Sequence, residues 1–173
     1  MGGIKSNWLS DKDWENVQKL MPIICVDIIP FRNIEKRKKT LTLEIGLILR
    51  LAPIKKKWCF IGGRILKDET VTSAIRRQLN NTLGFNIQYI LEKDPQPVYI
   101  AQYFTKKTNN YGFDPRQHAI GLAYFLNLEG EAKAQDEALD FKWFNINEIP
   151  PSNEFGFGQH KILLNVLRNV RNV

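Results

Sequence analysis

Apolar and polar positions follow two different periods along this chain, and each change of period marks an element. Residues 23–29 are nearly all apolar and largely β-branched, the pattern of a strand buried on both faces, with one charge, Asp27, in the middle. A polar loop over 33–39 leads to a second predicted strand over 41–51, and 58–61 is a further apolar run. The period then becomes helical: Val71, Ala74, Ile75, Leu79 and Leu83 recur on one face. Asp68 is the expected N-cap, Glu69 falls in the first turn, and Gly84 closes the helix. Further strands are predicted over 85–91, 98–104, 118–128 and 140–144, the last followed by a helical turn over 145–150. Near the start, Ser10 and Asp13 fit a capping box, Trp14, Val17 and Met21 share a helical face, and Pro22 ends the helix. Near the end, Ile162, Leu163, Val166, Leu167 and Val170 line one face of a helix over 159–170. Residues 106–117 are dense in Asn, Gly and Pro and read as a long loop, a frequent place for binding residues. Strands mixed with one central helix and terminal helices predict an α/β sandwich.

Residues 62–85, GGRILKDETVTSAIRRQLNNTLGF, join a strand to that central helix through a glycine turn. Gly63, Glu69, Arg77, Leu79, Gly84 and Phe85 stand at the spacing of G, five residues, E, seven residues, R-E-U-x-E-E-x-G-U, where U is bulky and aliphatic. The chain thereby resembles the Nudix hydrolases. The resemblance implies a single domain over 1–173 with the Nudix fold, an α/β/α sandwich with a mixed sheet. It implies that Glu69 and Arg77 form a salt bridge pinning helix to turn, and that Gly62, Gly63 and Gly84 serve backbone geometry. In that family the box carboxylates bind divalent metals that bridge the substrate's diphosphate. Their positions here are Gln78, Asn81 and Thr82, which still share a helix face but carry no charge. Hard cations such as Mg²⁺ are normally held by one or two carboxylates together with phosphate oxygens.

Within the family the chain is most similar to the GDP-mannose mannosyl hydrolase branch. The likeness rests on the strand carrying Asp27, on Pro53 and Trp58, and on GGR-x-x-KDET. It continues through Asp114-x-x-x-His118 and D-E-x-x-D-x-K-W at 136–143. By that resemblance the chain would hydrolyse a nucleoside-diphosphate sugar at its anomeric carbon, releasing sugar and nucleoside diphosphate. Asp27 and His118 would bind on the substrate side. Arg64 and, across a one-residue gap, Arg50 would face the diphosphate, and Glu137 with the Gly62 carbonyl would hold Mg²⁺ or Mn²⁺. A homodimer is also implied. The branch has a metal-binding carboxylate where this chain has Thr82, and a histidine base where it has Ala138. Either Asp136, Asp140 or His160 is the base, or hydrolysis is lost and the chain binds a nucleotide or nucleotide sugar as a sensor or partner module. Asp27, read from its apolar strand alone, stays open between a ligand contact and an internal salt bridge.

A length of 173 residues suits one domain with its own core. The net charge of +7 and pI near 9.4 invite a polyanionic partner such as RNA. The lysines concentrate in loops at 36–39 and 55–57 without stacking aromatics, however, so a solvated basic surface or a small phosphate-bearing ligand is the better reading. Whether the lysines ring the cleft decides between them. Cys25 and Cys59 lie in apolar runs without metal-ligand spacing and read as buried thiols of a reducing compartment. Residues 1–8 lack an apolar signal core, and the longest apolar run, 21–30, is too short to span a bilayer, so a cytoplasmic location is expected.

Overall fold

The computed structural model describes residues 9–36 and 40–171. Strand β1 (Ile23–Lys36) is the axis of a mixed sheet, parallel to β8 (Ala119–Gly130) along its whole apolar half. Its other edge is shared: β4 (Ile61–Arg64) pairs antiparallel with the first half and β2 (Thr40–Leu51) with the second. Outward from β2 lie β3 (Lys56–Cys59) and β9 (Asp140–Asn145), and outward from β8 lie β5 (Ile87–Tyr89), β6 (Tyr99–Phe104) and β7 (Gly112–Phe113).

Both faces of this sheet are covered, which is why β1 and β8 read as nearly continuous apolar runs. Ile23, Cys25 and Ile29 point to one side, where helix α3 (Gln159–Arg171) buries Ile162, Leu163, Val166 and Leu167. Helix α1 (Asp11–Leu20) adds Trp14 and Val17 to the same layer. Val26 and Ile28 point to the other side, against Ala74, Ile75, Leu79 and Leu83 of α2 (Val71–Leu83). The result is the α/β/α sandwich with a mixed sheet that the resemblance implies.

Four local expectations change. Helix α2 begins two residues later than predicted, with Thr70 as its N-cap accepting the Ser73 N–H at 3.1 Å. Asp68 instead occupies left-handed backbone (φ 62°) in a turn closed by Glu69, which accepts the Leu66 N–H. Strand β1 runs on through Lys36, so the predicted loop at 33–39 is strand for its first part, and 37–39 lie outside the described residues. Only Ile87–Tyr89 of the predicted 85–91 strand pairs, and Met21 lies past the end of α1 with most of its side chain exposed. Gly84 does end α2, at φ 80°, where a side chain would be strained.

Candidate functional site

Beside the glycine turn, on the α1–α3 side of the sheet, lies a cleft of about 640 Å³. Its floor is Asp27, which faces away from α2 at the point where β1 pairs with Gly62 of β4. The Tyr103 hydroxyl donates to Asp27 Oδ2 at 2.6 Å, Gln159 Nε2 donates to that hydroxyl at 3.3 Å, and Gln159 Oε1 accepts the Phe60 N–H at 2.9 Å. Strand β6, the first turn of α3 and the Phe60 backbone between β3 and β4 thus fix one carboxylate. Gly121 makes room for it, since a Cβ there would stand 2.1 Å from Asp27 Oδ2. Burial pushes the Asp27 pKa up from 3.8 to about 6, against the Tyr103 hydrogen bond, which favours the charged form. Asp27 therefore carries its charge at neutral pH and sits close to the point of exchanging it.

Three arginines line the walls. Arg50, on β2, donates from Nη1 to Glu137 Oε1 at 2.6 Å, and its Nε is buried without a partner. Burial raises the Glu137 pKa, and the Arg50 charge opposes that rise. Arg64, at the end of β4, lays its guanidinium on the Trp14 ring of α1, 3.7 Å from the centroid. Arg116 is gripped by Asp114 through Nε at 2.9 Å and Nη2 at 2.8 Å. Cys25 and Cys59 also reach the cleft lining, but burial pushes both thiols up to about 12, so they are protonated and poor nucleophiles there.

The structure thus gathers Asp27, Arg50, Gly62, Gly63, Arg64 and Glu137 around one cleft. His118 is not among its lining residues: its ring stacks on Phe104 with centroids 4.8 Å apart, and its Nε2 is buried without a partner. Nor do Asp136, Asp140 or His160 line the cleft. Asp136 and Asp140 are exposed, Asp140 accepts the Phe141 N–H, and His160 lies edge-on to Phe155. Glu69 and Arg77 form the expected pair, with Nε to Oε1 and Nη2 to Oε2 both at 2.7 Å, and Arg77 also donates to the Arg64 carbonyl. Burial alone would raise the Glu69 pKa, but the Arg77 and Leu66 hydrogen bonds outweigh it and hold it below the usual carboxylate range.

The residues present do not fit a dedicated divalent site. Gln78 turns its amide over Gly63, where a Cβ would meet Nε2 at 2.5 Å, while Asn81 is exposed and Thr82 buried. Glu137 is engaged by Arg50, and among the described residues no three His, Cys, Asp or Glu side chains converge as a metal would need. Tyr103, Arg116, Phe157 and Gln159 enter the site without having been foreseen. They come from β6, the 106–117 loop, the turn before α3 and the first residue of α3, and only the density of Asn, Gly and Pro around Arg116 signalled any of them.

A family model described as a domain of unknown function, DUF4916, matches residues 4–170. An ADP-ribose pyrophosphatase of Methanocaldococcus jannaschii is 27% identical over 150 residues, covering 86% of this chain and 75% of that protein. A solved structure from Jonesia denitrificans, described as a possible asymmetric diadenosine tetraphosphate hydrolase, is 26% identical with a TM-score of 0.77. It matches 88% of this chain and 96% of its own. The NUDIX domain of Shewanella oneidensis NrtR, solved with ADP ribose, shares the fold at 15% identity and a TM-score of 0.57, covering 95% of this chain and all of that one (100%). Among the described residues no helix is long and apolar enough to cross a membrane.

Proposed function

The chain belongs to the DUF4916 family and to the Nudix superfamily, and from that premise we propose that it hydrolyses a nucleoside diphosphate linked to a sugar. The observation that carries the reading is the meeting, in one cleft, of a buried carboxylate, Asp27, with three guanidiniums. The chemistry that suits this donor set is attack of water at the sugar's anomeric carbon. There the transition state resembles an oxocarbenium ion, which a fixed carboxylate stabilises, and the departing diphosphate gathers charge that guanidiniums can take up. In the proposed step Asp27 accepts the proton of the attacking water as its oxygen bonds to carbon. The carbon–oxygen bond to the diphosphate breaks, and free sugar and nucleoside diphosphate leave. Asp27 thereby replaces Asp136, Asp140 and His160 as the candidate base. The names of the ADP-ribose pyrophosphatase and of the ADP-ribose-bound NUDIX domain make ADP-ribose a first probe of binding, and the panel for turnover is GDP-, UDP-, ADP- and CDP-sugars, whose diphosphate is joined to the anomeric carbon.

A second reading, binding without turnover, is favoured by Gln78 over the glycine turn and by the Arg50–Glu137 pair. One experiment separates the two. The purified protein is incubated with the panel, with and without Mg²⁺ or Mn²⁺, and followed by phosphorus NMR and a free-sugar assay. Nucleoside diphosphate plus free sugar is the expected result. Nucleoside monophosphate plus sugar phosphate would overturn attack at carbon, and saturable binding without products would make the chain a ligand-binding module.

A further inference from the structure

Two guanidiniums share the Phe157 ring: Arg50 lies 5.9 Å and Arg116 5.0 Å from its centroid. Phe157 stands in left-handed backbone, φ 55°, and its carbonyl accepts the Phe113 N–H at 2.9 Å, which ties the turn before α3 to β7. The two arginines are held differently. Arg50 gives Nη1 to Glu137, buries Nε, and keeps only 17% of its side chain exposed. Arg116 keeps 46% exposed, although its anchor, Asp114, is only 6% exposed.

That anchor uses a single side of the guanidinium fork. Asp114 Oδ1 accepts from both the backbone N–H and Nε of Arg116, and Oδ2 accepts from Nη2. A guanidinium carries five N–H donors, so this arrangement leaves the end formed by Nη1 and the second Nη2 hydrogen for an acceptor of another kind. Paired, planar donors on a rigid stem fit two oxygens of a phosphate group, and Phe157 stacking limits the swing of the stem. A buried carboxylate spent on aiming a half-exposed arginine into a cleft is an arrangement for an anion, since a solvated arginine needs no such aim.

We infer that Arg116 is a clamp for the ligand's diphosphate, with Asp114 as the residue that positions it and Phe157 as its backing. The inference rests on the proposed reading of the cleft as a nucleoside-diphosphate-sugar site and extends it to a residue outside the glycine-turn signature. Asp114 compensates part of the arginine's charge, so the clamp contributes directed hydrogen bonds more than net field.

The test is a calorimetric titration of the wild type, Arg116→Ala and Arg116→Lys with ADP-ribose and with UDP-glucose, alongside thermal unfolding of each protein. Removing Arg116 leaves the Asp114 carboxylate buried and unpaired, so the alanine variant alone could fail through folding. The lysine variant keeps the charge and lacks the fork. Expected is a loss of affinity of roughly 10- to 100-fold in both variants, the size of one charged hydrogen-bonding group. The loss should be equal for the two ligands, because they share the nucleoside ribose with its diphosphate and differ in base and in terminal sugar, and the lysine variant should unfold near the wild-type temperature. Unchanged affinity in a folded Arg116→Lys protein would overturn the clamp and leave the reading of the cleft standing. A loss confined to one ligand would also overturn it, by assigning Arg116 to base or sugar. Failure of the wild type to bind either ligand would overturn the cleft's proposed function and the clamp with it.

Discussion

The Asp27 carboxyl is pulled in two directions: burial raises its pKa, and the Tyr103 hydroxyl lowers it, leaving it at about 6. With Asp27 as base, the activity must rise with pH as the carboxylate forms, with its acid limb near that value. In Tyr103→Phe the opposing hydrogen bond is gone, so the pKa climbs further and the limb in kcat/KM against pH moves to higher pH. A limb that stays put would remove Asp27 from the chemistry. The same group sets a stability trend. Its folded pKa lies above the unfolded one, so the folded state binds the extra proton between 3.8 and about 6. The associated stability is complete below 3.8 and is lost as pH rises through about 6. Replacing the carboxyl by the neutral amide in Asp27→Asn should abolish that decline and raise the urea midpoint at pH 8, by on the order of 2–3 kcal/mol in unfolding free energy. The sequence marked Asp27 because a charge inside a β-branched run is conspicuous. It could not supply Tyr103 and Gln159, whose approach depends on the β6–β8 register and on where α3 docks.

At the scale of elements, the glycine turn and the body of α2 were legible because their signals are local: a glycine pair, a 3.6-residue apolar period and a glycine stop. The start of α2 was misread at Asp68 because Glu69, which reads as a first-turn acid, is drawn instead to Arg77 and to the Leu66 N–H, which tightens a turn ahead of the true cap. The continuation of β1 beyond 33 was hidden for the opposite reason, since pairing with β2 carries polar residues into strand where no local apolar pattern asks for it. The Arg77 fork spans both structures, reaching Glu69 in the turn and the Arg64 carbonyl at the end of β4. Arg77→Ala should cost roughly 2–3 kcal/mol by urea unfolding, because Glu69 is left largely buried without its counter-charge. Arg77→Lys should restore little, since one ammonium cannot reproduce two parallel bonds to Glu69 and a third to the Arg64 carbonyl. Full recovery in the lysine variant would show that charge alone, and not the fork, joins helix to turn.

For the whole molecule the question is where the net charge of +7 lies. It does not lie in the cleft. Among the described residues the lining carries Arg50, Arg64 and Arg116 against Asp11, Asp27, Asp114 and Glu137, and includes no lysine. Arg50 and Arg116 are ion-paired, so an approaching anion meets directed donors set among carboxylates rather than a broad positive field. The two binding modes weighed from composition then differ in their response to salt. A protein that binds RNA or DNA by releasing counterions from six to ten phosphates loses about 10³- to 10⁵-fold in affinity between 50 and 200 mM salt. A ligand with one diphosphate in a near-neutral cleft should lose less than about tenfold over that range, because few counterions are released and paired, partly buried charges are weakly screened. Calorimetry of ADP-ribose across that range measures the slope directly. A steep slope would move the binding determinant out of the cleft and onto the lysine runs at 36–39 and 55–57, and with it the case for a small ligand.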